Sequence, residues 1–156
     1  MSKSLKRVIH ALADAGLDIA PMEMPDMTRT AQQAADAAAC ELDQIAKSII
    51  FRGETSGEAI LFVTAGGQQV NADKASLVAG EPLGKADAKL IRAQTGFAIG
   101  GVAPIGHLNP IRAFWDSRLS AFEVVYAAAG TPRHIFPIDP AYLLDICGAT
   151  LADFTD

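Results

Sequence analysis

The sequence predicts an α+β fold: a curved, mixed and largely antiparallel sheet, barrel-like, with helices around it. Three observations point there. Apolar β-forming runs succeed one another through short turns, as in 45–52, the loop 54–57 and 59–64, which is the pattern of a hairpin. Helix-like segments are interspersed without the strict strand–helix alternation of a doubly wound sheet. The one glycine cluster, Gly96-Phe97-Ala98-Ile99-Gly100-Gly101, has the wrong spacing for a dinucleotide fingerprint, and Pro104 and Gly106 preclude the helix that should come after it.

With 156 residues, half hydrophobic and a fifth charged, the chain is expected to form a single domain, 1–156, with a proper core. No apolar run reaches membrane-spanning length. The basic start, Lys3, Lys6 and Arg7, lacks a signal-peptide core, because His10, Asp14 and Asp18 interrupt the apolar residues beyond it. Cys40 and Cys147 stand far apart with no CxxC and read as small hydrophobes in a reducing compartment. A cytoplasmic protein without metal or cofactor is the expectation. The net charge of −5 argues against an extended nucleic-acid surface and against DNA, while leaving room for contact with a nucleic-acid end.

Along the chain, Ser4 caps a helix with Leu5, Val8, Ile9 and Leu12 on one face, ended by Gly16. Residues 17–23 form a short strand. Thr30-Ala31-Gln32-Gln33 is a capping box opening an alanine-rich helix to about Ala39, and Asp36, Glu41 and Asp43 read as a solvated helix face. The hairpin comes next and ends at Ala65-Gly66-Gly67. Asp73 caps a helix before Gly80, residues 83–85 are extended, and Asp87 caps a helix closed by Gly96. Residues 97–99 form a core strand. Further strands span 111–115, 122–128 and 133–137, with a turn at Gly130-Thr131-Pro132. Asp139-Pro140 opens a helix with the favoured cap-then-proline order, and 151–154 adds an edge strand.

Two places carry chemistry. The stretch from Gly96 to His107 is too glycine-rich for a helix and too apolar for an ordinary loop. Gly100-Gly101-Val102-Ala103-Pro104 can present bare backbone N–H groups to a ligand, as an oxyanion hole or anion nest, or it can be a bulged strand end. Lys47 lies among Ile45, Ala46, Ile49, Ile50 and Phe51. It either reaches water from an edge strand or faces a polar cavity, where its ammonium suits a phosphate or carbonyl oxygen. Ser48 should point to the opposite face. No GxSxG turn supports a serine triad, and His10, His107 and His134 lack metal-ligand spacing.

Taken together, the segments 44–51, 96–107 and 130–134 resemble the YbaK/ProX family, free-standing relatives of the editing domain inserted in bacterial prolyl-tRNA synthetases. The resemblance runs in order along nearly the whole chain. It implies the α+β fold above and a trans-editing deacylase that hydrolyses the ester of a small mischarged amino acid (Ala, Cys, Ser or Thr) at the terminal adenosine of tRNA. By position it implies Lys47, Gly100, Gly101 and His134 as catalytic residues. Thr28, Thr30, Ile45, Val102, Ala103, Pro104 and Gly130 are implied to bind substrate. The implied partners are the tRNA acceptor end and a synthetase or elongation factor, with no membrane. The turn here is Gly130-Thr131 where the family also shows two glycines. Two competing readings are a non-catalytic module that binds aminoacyl-adenosine, the tRNA 3′ end or a free amino acid, and a phosphate-ester hydrolase using the glycine loop as an anion nest.

Overall fold

The computed structural model describes residues 2–156. Helix α1 (Lys3–Asp14) starts at Ser2, whose hydroxyl accepts the Leu5 N–H at 3.0 Å. The cap is therefore two residues earlier than the expected Ser4, which lies within the first turn. Leu5, Val8 and Leu12 form its buried stripe. The expected strand at 17–23 shrinks to β1 (Met22–Glu23). Helix α2 (Ala31–Ala38) is capped by Thr30, which accepts the Gln33 N–H at 3.1 Å. Gln33 completes the start one residue outside the expected box, accepting the Arg29 N–H at 2.7 Å.

A 3-10 turn (Leu42–Gln44) leads into β2 (Ile45–Gly53) and β3 (Ala59–Ala65). Helix α3 (Ala72–Ala79) is capped by Asn71, whose side chain accepts the N–H groups of Asp73 and Lys74. Asp73 itself is already in the helix. Strand β4 (Leu83–Lys85) precedes α4 (Ala88–Thr95), capped by Asp87 and closed by Gly96 at φ +81°, both as expected.

No strand forms at 97–99. Phe97 is fully buried, but its N–H turns back to the Thr95 hydroxyl at 3.1 Å, and Ile99 is 60% exposed. Left-handed glycines at both ends, Gly96 and Gly100 (φ +97°), curl the chain before it can lie against a neighbour. Strand β5 (Arg112–Trp115) is followed by a 3-10 turn (Ser117–Ala121), so β6 (Val125–Ala128) starts later than expected. Strand β7 (His134–Ile138) leads to Asp139, which caps α5 (Pro140–Ile146) with Pro140 in the first turn. The last strand, β8, is only Thr150–Leu151. Phe154 leaves it to pack on Phe62, ring centroids 5.0 Å apart.

The eight strands form one mixed sheet in the order β1-β7-β6-β2-β3-β5-β8, with β4 also on β2. Four pairings are antiparallel (β1–β7, β2–β3, β2–β4, β6–β7) and three parallel (β2–β6, β3–β5, β5–β8). The path is open and does not close into a barrel. Strand β3 is buried on both faces and divides its side chains by parity. Leu61, Val63 and Ala65 join the main core with α1, Trp115 and Phe136. Ile60 and Phe62 join a second cluster with Ala75, Ala79 and Phe154.

The pairing of β2 shapes the functional site. On its far side from β3, β6 pairs only with Ile45 and Ala46, and β4 only with Phe51 to Gly53. The sheet is split between them, along residues 47–50.

Candidate active site

A cavity of about 250 Å³ opens at this split. One wall comes from Thr28, Thr30 and Ala34 around α2, another from Ile91, Ile99, Gly100 and Val102. Because the split uncovers an edge of β2, Ala46, Ser48 and Ile50 line the cavity as well as Ile45 and Lys47. Alternation along β2 still turns the Ser48 side chain away from that of Lys47, and Ser48 reaches the cavity because no strand covers it on the far side from β3.

Lys47 lies where β2 has no neighbour on the far side from β3, yet its half-buried side chain is tied down rather than simply reaching water. Its ammonium donates to the carbonyls of Gly66 (3.2 Å) and Gln68 (2.7 Å). The same turn is held through its N–H groups: Asp116 accepts from Ala65 at 3.1 Å, and Asp43 accepts from Gly67 at 2.8 Å. Arg118 ties these acids together, its N–H on Asp116 and its guanidinium on Asp43 at 3.0 Å. Asp43 is thus a structural partner of the turn, not part of a solvated helix face. A side chain at Gly66 would collide with the Leu42 carbonyl, which explains the glycine there. Burial lowers the Lys47 pKa below the usual lysine value, and the carboxylates of Asp116 and Asp43 oppose that shift. An ammonium has three donors, so two are spent on the turn and one is left for a ligand.

The glycine loop is positioned by α1 and by its own end. Arg7 donates to the carbonyls of Gly96 (2.8 Å) and Gly106 (3.3 Å) and lies 4.7 Å above the Phe97 ring. His107 bonds the Ala103 carbonyl at 2.7 Å. Its pKa is lowered by burial first, with the Ala103 bond opposing and the Arg7 charge adding to the shift. Gly101 is packed so closely that a Cβ there would stand 2.7 Å from the backbone of Thr131. Its N–H donates to the Ala98 carbonyl at 3.2 Å. The N–H groups of Gly100 and Val102 have no partner among the described residues and belong to residues lining the cavity.

Of the residues predicted from sequence, Lys47, Gly100, Thr28, Thr30, Ile45 and Val102 therefore meet at one cavity. Gly101, Ala103 and Pro104 do not line it and shape the loop from behind. Gly130 packs against the Ser4 carbonyl. His134 lines a separate depression with Glu23, Met27 and Arg133, and its Nδ1 pairs with the Thr131 hydroxyl at 2.6 Å. Sequence reasoning missed Arg29, Ser48, Ile50, Ile91, Ile99, Tyr126, Ala128 and Ile135, all at the cavity. Both threonine hydroxyls in the wall are engaged: Thr28 donates to the Pro132 carbonyl at 3.2 Å, and Thr30 caps α2. Among the described residues no group of three or more His, Cys, Asp or Glu side chains is placed to hold a metal ion. No helix among them is long and apolar enough to cross a membrane.

Beyond this geometry, residues 26–146 match the aminoacyl-tRNA editing domain family. The chain belongs to that family. This bears out the YbaK/ProX resemblance and the α+β expectation. A solved structure described as a candidate trans-editing enzyme for prolyl tRNA synthetase is 42% identical, with a TM-score of 0.92 over 100% of this chain and 99% of that one. The hypothetical protein APE2540 is 26% identical, with a TM-score of 0.87 over 96% and 99% of the two chains. The uncharacterized protein YwhH of Bacillus subtilis (strain 168) is 31% identical over 121 residues, 78% of this chain and 76% of that protein. Membership of the editing family implies binding of aminoacyl-tRNA.

Proposed function

We propose that the chain is a trans-acting deacylase that hydrolyses the ester of a small amino acid mischarged on tRNA, in support of a synthetase such as the prolyl enzyme. The observation that carries this reading is the meeting of Lys47, Gly100 and Val102 at one small cavity. An aminoacyl ester is already activated, so positioning and charge stabilisation suffice. Water attacks the ester carbonyl carbon. The negative charge that develops on the carbonyl oxygen is met by the N–H groups of Gly100 and Val102. The remaining ammonium proton of Lys47 anchors the substrate's ester or phosphate oxygen. The ribose oxygen leaves and takes up a proton, with the neighbouring hydroxyl of the ribose as relay, giving free amino acid and uncharged tRNA.

On the α2 side of the cavity, the wall of Thr28, Thr30, Ala34 and Ile45 leaves room for alanine, cysteine, serine or threonine and excludes large side chains. Ala103 and Pro104 support the loop from behind. His134 acts in this reading through the 130–134 turn, which backs Gly101, rather than at the reacting ester.

A second reading has one observation in its favour. Two of the three Lys47 donors serve the turn at Gly66 and Gln68, as a structural strut would. In that case the domain binds the tRNA 3′ end without turnover. Incubation with a panel of mischarged tRNAs decides between them. Release of a small amino acid, catalytic in protein, is expected. Retention of the intact aminoacyl-tRNA in a stable complex, without release, overturns the deacylase.

A further inference from the structure

The split in β2 leaves backbone groups without partners in the middle of a sheet. The direction of these groups is set by the ladder. Gly53 donates its N–H toward β3, to Glu58 at 2.9 Å, and Glu54 donates toward β4, to Pro82 at 2.8 Å. Alternation along a strand turns the N–H and C=O of Ser48, and the N–H of Ile50, toward the split. No strand pairs with residues 47–50 on that side, and no other partner for the Ser48 or Ile50 N–H exists among the described residues. The Ser48 hydroxyl is buried without a partner. Ser48 and Ile50 are half-buried and line the cavity, and polar groups in such a place are normally satisfied, so this cluster suits a ligand.

The pattern is specific. An acceptor at residue i and a donor at residue i+2 lie on one edge of an extended strand, side by side. Adenine offers the complement on its Watson–Crick edge, an exocyclic N–H₂ donor beside the N1 acceptor. Unpaired nucleotides are read in this way, by hydrogen bonds to that edge between apolar walls. Ile50, Ile91 and Ile99 supply such walls in the same cavity, away from its α2 side.

We infer that the β2 split is the base pocket for the terminal adenosine: the Ser48 carbonyl accepts from the adenine amino group, and the Ile50 N–H donates to N1. This rests on the aminoacyl-tRNA reading of the site and adds a base-reading element to it. Inosine reverses both partners, placing a carbonyl against the Ser48 carbonyl and an N–H against the Ile50 N–H. Replacing N1 by carbon removes one bond only.

The test uses the full chain and a non-hydrolysable probe, 3′-deoxy-3′-alanylamino-adenosine, with its inosine and 1-deazaadenine counterparts. Calorimetry gives affinity, and NMR gives amide exchange. The 1-deaza probe should bind about tenfold more weakly and the inosine probe weaker still, since a buried group left unpaired costs more than a bond is worth. The Ile50 amide should exchange at least about tenfold more slowly with the adenosine probe bound. Equal affinity for the three probes, an unchanged Ile50 amide, or no binding of any probe overturns the inference. Release of amino acid from tRNA is scored separately. A protein that deacylates tRNA yet ignores the base loses only this pocket assignment, whereas one that releases nothing loses the deacylase itself.

Discussion

Replacing Lys47 by Met keeps most of the apolar stem and removes the ammonium. The change has two effects, and they can be measured apart. The carbonyls of Gly66 and Gln68 lose a charged donor. Hydrogen bonds to charged groups are worth about 1.5–3 kcal/mol each, and partial exposure reduces that, so a total loss of about 1–3 kcal/mol is expected. For a chain of this size that is a fall in Tm of roughly 3–10 °C. The second effect is chemical. Loss of one preorganised donor at the reacting ester costs about 10²–10³-fold in rate. Single-turnover deacylation at a temperature where the variant stays folded reads the second effect without the first. A lower Tm with an unchanged rate per folded molecule would show that Lys47 is a strut for the 65–68 turn, and would refute its catalytic role. The sign of the pH effect is also fixed. Burial lowers the folded-state pKa below 10.5, so the unfolded chain binds more protons between the folded value and 10.5. Stability should rise with pH across that window, and the Met variant should lose the rise.

The glycine loop gives a graded pair. Gly100→Ala meets nothing within 4 Å and is destabilised mainly by its φ of +97°, about 1–2 kcal/mol. Gly101→Ala drives a Cβ into the Thr131 backbone and should cost about 1–3 kcal/mol in overpacking, with a larger loss of activity, as read by denaturant unfolding beside deacylation. Arg7→Ala removes both carbonyl contacts and the ring contact, and should cost about 2–4 kcal/mol, with faster amide exchange at 96–107. His107 has a lowered pKa, so the unfolded chain takes up its proton first as pH falls below 6.5. Stability should therefore drop on acidification from 6.5, and His107→Gln, which can still donate to Ala103, should flatten that dependence in melts between about pH 7 and 5.

Much of the fold was legible because local chemistry decides it. Asp87, Asp139, Thr30, Gly80 and Gly96 mark helix ends through caps and left-handed turns, and the 45–65 hairpin declares itself by composition. The errors share a cause. Ser4 and Asp73 are acceptable caps, but the neighbouring Ser2 and Asn71 won, and a choice of that kind within one turn depends on which face must be buried. Phe97–Ile99 has strand composition without a partner, and pairing is non-local. At the site, Lys47 and Gly100 could be found because their residue types are unusual for their surroundings, and Val102 because it belongs to the same glycine loop. Ile50, Ile91, Ile99 and Tyr126 could not, since nothing in the sequence shows that β6 leaves β2 at Ala46 and β4 joins it at Phe51. Only that split lets successive residues of one strand line a single cavity.

The central claim is that this cavity hydrolyses small aminoacyl esters and rejects large ones. The most direct measurement charges one tRNA with alanine or with phenylalanine and tracks release of each under single turnover, with wild type and Lys47→Met. Fast release of alanine that depends on Lys47 is expected, with no release of phenylalanine above the spontaneous rate. Equal release of both, or release of neither, would contradict it.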